Sequence, residues 1–178
     1  IVGLEPKDFD VATNATPEQV RPLFRRARII GRRFQLVHVV FGQEIIETST
    51  FRAPASESQA TDENGRILRD NEFGTHAQDA ARRDFTINAM ALELTSDSPT
   101  LVDPFGGAVD LATKTLRTPL APEVSFSDDP LRMLRAARFI AGYHLQPVPE
   151  LVEAVRAMHG QCGLRMQFYT AKPPPPPP

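Results

Sequence analysis

Residues 6–20 read PKDFDVATNATPEQV, a strand pattern followed at once by a helix start. Phe9 and Val11 alternate with Asp8 and Asp10, the period of a strand with one polar face. Thr16 then caps a helix, with Pro17 in its first position and Gln19 three residues past the cap. That helix is expected to reach Arg25. Working outward, residues 28–30 read as a short strand. Residues 35–41 and 44–51 are rich in valine, isoleucine and threonine, with Gly42-Gln43 between them as a hairpin turn. Residues 53–75 are polar with few apolar anchors, and so long a stretch reads as a mobile or functional loop. Beyond it the pattern predicts a helix over 77–83, mixed helix and strand over 85–94, a brief strand at 101–102 and a turn at 104–107. A helical turn at 109–113 and an extended piece at 115–117 follow. Residues 130–143 form the clearest helix, with Asp129 as cap and Pro130 in the first position, and 149–158 form another. The expected class is α/β (α+β), with a sheet-bearing part over 1–120, helices over 121–160 and an atypical tail over 161–178.

Composition narrows the function classes. The chain has 178 residues, 20 basic and 22 acidic, for a net charge of −2. Apolar residues make up 41% and charged residues 24%, an ordinary globular mix that excludes wholesale disorder. Near-zero charge exerts no global pull on nucleic acid, so any such affinity must come from a local patch. No apolar run approaches a membrane span, and no export leader is visible. A single cysteine, Cys162, excludes an internal disulfide framework and fits a reducing, cytoplasmic compartment. The chain begins at Ile1 and ends in six prolines, Pro173 to Pro178. Those favour an extended rod outside any core. They read as a tail of cloning or translation origin, with a proline-recognition ligand as the alternative.

Three clusters can carry chemistry. Asp8 and Asp10, at i and i+2 of a strand, share a face about 6.5–7 Å apart. Paired carboxylates there suit hard cations such as Mg²⁺. The plain alternative is a solvated strand end, and a nucleotide-sugar glycosyltransferase also uses such a pair. Glu47 joins them if its strand lies beside theirs; otherwise it is an exposed strand glutamate. Arg52 ends that strand, where it can meet a phosphate. The second cluster is Arg82-Arg83-Asp84 with Asn88 four residues on, which shares a face with Asp84 in a helical turn. Guanidinium forks match phosphate oxygens; a helix-end salt bridge is the competing reading. The third is SDDPLRMLRAARF, residues 127–139. Arg132, Arg135 and Arg138 recur every three residues beside an apolar face of Met133, Ala136, Ala137 and Ile140. An aspartate with an arginine can read a base edge; a solvated arginine face is the alternative. His38 reads as a satisfied core histidine, and His76, His144 and His159 lack metal spacing. There is no glycine-rich phosphate loop of the Gly-x-x-x-x-Gly-Lys type.

Each cluster is weak alone, but their order is specific. PKDFDVATNATPEQV, EIIETSTFR, RRDFTINAMAL, LVDPFGGAVDL and SDDPLRMLRAARF resemble, in sequence and spacing, the class II nucleotidyltransferases. These comprise the CCA-adding tRNA nucleotidyltransferases and the bacterial poly(A) polymerases. The resemblance covers residues 4–158. It implies a polymerase-β-like head followed by a helical neck. It implies two Mg²⁺ ions on Asp8 and Asp10, with Glu47 as a further candidate ligand, and a catalytic, ribose-facing role for Asp84. Nucleotide binding is implied for Arg83, Asn88, Arg135 and Arg138. Asp129 and Arg132 match the pair that reads the incoming base. The implied reaction is attack of an RNA 3′-hydroxyl, on mRNA, small RNA or tRNA, upon the α-phosphate of ATP, or of CTP and ATP.

The halves of the chain lean to different branches. IIGRRFQLVHV, residues 29–39, looks like the stretch that marks bacterial poly(A) polymerases, whereas residues 101–139 look closer to actinobacterial CCA-adding enzymes. Addition of AMP is the favoured reading and CCA addition the alternative. The family's Gly-Gly-x-Val-Arg-Asp loop would precede Ile1, and QCGLRMQFYTAK, residues 161–172, departs from the pattern. A head that binds nucleotide or RNA without turnover is therefore a third expectation.

Overall fold

A computed structural model describes residues 8–31, 35–53, 73–95 and 98–162. Most of the expected 53–75 loop, and the tail from residue 163 onward, lie outside the described residues.

The capping signal of the opening segment is realised. Thr16 accepts from the Gln19 N–H (3.3 Å), and the Gln19 side chain accepts from the Thr16 N–H (2.8 Å). The helix it starts, α1 (Pro17–Val20), is much shorter than expected. The chain tightens into a 3₁₀ turn at Arg21–Leu23 and becomes extended at Phe24. Pro22 explains this, because it has no N–H to continue the ladder. Strand β1 (Asp10–Thr13) precedes α1, and β2 (Ala27–Ile30), β3 (Leu36–Phe41) and β4 (Glu44–Thr50) follow. Gly42-Gln43 makes the two-residue turn between β3 and β4, with Gly42 at φ +61°.

The sheet order is β1-β4-β3-β2. β1 runs parallel to β4, while β3 is antiparallel to both β4 and β2, so the sheet is mixed. One face is buried: Val20 of α1 and Ala15 cover Ala27, Val37 and Val39. No described helix covers the other face. The expected apolar side of the first strand is not buried; Phe9 is 64% exposed and Val11 40%.

The second part begins with α2 (His76–Ala81), opened by a capping box of Thr75 and Gln78. It starts one residue before the expected helix and ends two before its expected end. A 3₁₀ turn at Thr86–Asn88 leads to a hairpin of β5 (Ala91–Glu93) and β6 (Thr100–Val102). Then come α3 (Gly107–Ala112), β7 (Thr115–Leu116), α4 (Pro122–Asp128), α5 (Leu131–Tyr143), β8 (Gln146–Pro147) and α6 (Pro149–Met158). β7 and β8 pair in parallel. The second core gathers Phe126, Met133, Ala136, Leu145, Leu151, Ala154 and Met158 around Phe85 and Leu116. Ala137, expected on the apolar face of α5, is exposed; Phe139 packs against the core with Ile140. No described helix is long and apolar enough to cross a membrane.

α3 is anchored at its start. Asp103 accepts from the Gly107 N–H (2.7 Å) and the Ala108 N–H (2.9 Å), and Gly106 takes φ +73°. A Cβ on Gly107 would press into the Thr86 carbonyl. Gly107→Ala should therefore destabilise the protein by about 1–3 kcal/mol, as overpacking does. Urea unfolding checks this; an unchanged midpoint would show that the backbone yields there.

Candidate active site

Strand register decides which charged groups meet. Asp10 lies opposite Glu47, Glu47 opposite His38, and His38 opposite Arg28. Paired residues of adjacent strands point to the same face. Arg28, His38, Glu47 and Asp10 thus form one row across the open face. The ring of His38 meets Glu47 at 3.2 Å (Nε2 to Oε1), so this histidine is satisfied on the open face rather than in the core. Asp8 leads into β1 two residues before Asp10. Both aspartates are exposed and make no hydrogen bond or ion pair among the described residues.

The Arg82-Arg83-Asp84 segment is a junction. Asp79 on α2 accepts from the Arg52 N–H at the end of β4 (3.1 Å) and from Arg83 Nη2 (3.0 Å). Arg82 donates to the Ala53 carbonyl (2.6 Å). Asp84 is buried, and three donors surround it. The Phe85 N–H (2.9 Å) and Asn88 Nδ2 (3.0 Å) reach Oδ1, and Arg135 Nε reaches Oδ2 (2.7 Å). Asp84 and Asn88 therefore do share a face, and Arg135 from α5 joins them. The Arg135 guanidinium also lies 6.0 Å from the centre of the Phe139 ring.

Arg132 is not a solvated member of a stripe; its side chain is only 11% exposed. It donates to the Ser125 hydroxyl (2.9 Å) and carbonyl (3.3 Å), to Asp128 (3.1 Å) and to the Arg82 carbonyl. The expected cap is displaced by one residue: α5 begins at Leu131 with Pro130 in the N-cap position, while Asp129 ends α4 and accepts from the Leu131 N–H (3.0 Å). Arg138 is exposed and makes no polar contact among the described residues. Sequence reasoning missed Ser125 and Asp79. Ser125 sits on α4, whose only start signals are Pro122 and Glu123.

Residues 1–117 match the family described as the poly A polymerase head domain. The chain belongs to that family. Poly(A) polymerase I of Salmonella typhi is 48% identical over 161 residues, covering 87% of this chain and 34% of that protein. The CC-adding tRNA nucleotidyltransferase of Halalkalibacterium halodurans is 37% identical over 163 residues, covering 92% and 36%. The crystal structure of the Bacillus stearothermophilus CCA-adding enzyme in complex with CTP superposes with a TM-score of 0.68 at 32% identity, covering 86% of this chain and 35% of that one. The fold is that of a polymerase-β-like nucleotidyltransferase head. The chain spans about a third of the length of these relatives.

The head's residues fit a divalent cation. Asp8 and Asp10 present exposed, unpartnered carboxylates, the hard oxygen donors such ions prefer. No group of three acids, histidines or cysteines among the described residues is arranged as a ready cage. The donor set therefore suits an ion that keeps places for water and phosphate.

Asp84 carries the junction, which yields a stability prediction. Asp84→Ala leaves the Phe85 N–H buried without its acceptor and should cost about 1–3 kcal/mol. Arg135→Ala should cost less, because that side chain is half exposed. Urea denaturation of both variants checks the order; a larger loss for Arg135→Ala would contradict it.

Proposed function

We propose that the chain is the catalytic head of a template-independent RNA 3′-end nucleotidyltransferase that adds AMP from ATP, in a cytoplasmic setting. The carrying observation is Asp10 on the open face of the sheet with Asp8 two residues before it, both exposed and without a hydrogen bond or ion pair among the described residues. The higher identity to the poly(A) polymerase than to the CC-adding relative supports ATP as substrate.

Asp8 and Asp10 would hold Mg²⁺, two ions in the full reaction. When bound, such ions supply charge that favours the attacking oxygen and the leaving pyrophosphate. The RNA 3′-oxygen bonds to the α-phosphorus as the bond to pyrophosphate breaks. Little covalent work falls to side chains; positioning dominates. Asp84 fixes Asn88 and Arg135 where ribose and phosphate are to be met, with Arg83 and Arg138 as further cationic groups. Asp129 and the rigidly held Arg132 face the base. Four of the five Arg132 donors are engaged, leaving Nε–H without a partner among the described residues. An arginine so fixed can act as a template edge.

Incubation with labelled ATP, Mg²⁺ and a generic RNA should give adenylate extension. Asp8→Ala or Asp10→Ala should lower it at least about 100-fold, the scale of several kcal/mol of barrier. Extension surviving either change would overturn the metal assignment. Efficient CTP incorporation on a tRNA lacking its end would replace AMP addition with CCA addition. ATP binding without product would leave a nucleotide-binding head.

A further inference from the structure

Residues 19–43 contain six arginines, Arg21, Arg25, Arg26, Arg28, Arg32 and Arg33, and no acidic residue. In a chain of net charge −2, that concentration is a local excess of positive charge. Four of the six are described, and all four are exposed. The side chains of Arg21, Arg25 and Arg28 make no ion pair or hydrogen bond among the described residues, and that of Arg26 makes only a 3.5 Å contact with the Gly42 carbonyl. The flanking acids, Glu18 and Glu44, are exposed and bridge none of them.

Their placement is directional. Among the described residues β2 is an edge strand, with no strand paired on its far side. Arg28 is the end member of the row Arg28–His38–Glu47–Asp10, and Arg26 stands in the turn one residue before β2. Three interstrand steps separate Arg28 from Asp10, roughly 14 Å. The row thus runs from cationic at the β2 edge to anionic at the aspartate pair. Phe24 and Phe41, both exposed, meet edge to face with ring centres 6.0 Å apart, and Phe41 belongs to the Val37–Val39 side of β3, not to the Arg28 side. An unpaired cationic track suits the backbone of single-stranded nucleic acid, because its phosphates meet the charge.

We infer that the β2 edge and its preceding turn, with Arg21, Arg25, Arg26 and Arg28, bind the phosphate backbone of single-stranded RNA just upstream of the 3′ end presented at Asp8 and Asp10. This rests on the proposed RNA 3′-end chemistry and adds the surface that holds the primer. Arg28 lies too far along the row to serve the same α-phosphate as the aspartates, so the edge is assigned to RNA and not to the triphosphate.

The test is anisotropy of a short labelled oligoadenylate with the full chain across a salt series. Arg25→Gln/Arg28→Gln should weaken binding about tenfold or more and lower the logarithmic salt slope by about 1.4, the release expected for two phosphate contacts on a single strand. Arg25→Lys/Arg28→Lys should retain most of the binding. Arg156→Gln, an exposed position of α6, should leave it unchanged. The KM for ATP should not move. If circular dichroism shows the glutamine pair unfolded, the single Arg21→Gln variant reads the same quantity. Unchanged RNA affinity and slope with increased self-association would overturn the inference and make the arginines guards of an open strand edge. A raised KM for ATP with unchanged RNA affinity would overturn it in favour of the triphosphate. Asp10→Ala should keep RNA binding while losing extension. Arginine-dependent binding without any extension would therefore sink the catalytic reading alone, and extension indifferent to the arginines would sink only this surface.

Discussion

The Asp84 carboxylate sits in the segment between the sheet and the helices, and that segment, through Asp79, Arg82 and Asp84, holds both. Its oxygens take donors from its own turn and from α5, while two residues upstream Arg82 grips the Ala53 carbonyl. The Arg82 carbonyl in turn receives Arg132. Buried polar groups are tolerable only when their partners are in place. The segment from Asp79 to Asn88 meets that condition by drawing on Arg52 and Ala53, just beyond β4, and on Arg132 and Arg135 of α5. The position of the helical arginines relative to the sheet follows from this network.

A second constraint is strand register. Asp10, Glu47, His38 and Arg28 align because β1, β4, β3 and β2 pair as they do. A slip of one residue would turn any one of them to the opposite face. The buried valines on the reverse side hold that register, since Val37 and Val39 are almost wholly enclosed. Packing on one side of the sheet therefore fixes the chemistry displayed on the other.

Much of this was legible in the residues. The Thr16–Gln19 box, the Gly42 hairpin and the Pro149 helix start are local signals, and local physics decided them. α1 stops short of the expected Arg25 because the missing N–H of Pro22 breaks the ladder. α4 escaped notice because Ala121 offers no capping side chain. The burial of Arg132 was illegible for another reason. A spacing of three between arginines marks a helix face but says nothing about what covers it, and here Ser125 and the Arg82 carbonyl do. Glu47 beside Asp10 was conditional on a parallel pairing between strands distant in sequence, and the residues alone do not specify that pairing.

Phe85 and Leu116 precede the helices in the chain, yet they are enclosed by Met133, Leu145 and Leu151. The stretch that carries the family signature ends near the point where its own apolar anchors are still waiting for cover. Motif boundaries and cooperative unfolding units thus divide this polypeptide differently. Severed after residue 117, the signature region would surrender two of its best-shielded side chains to water, and loosening of the helices would propagate directly into the turn that carries Asp84.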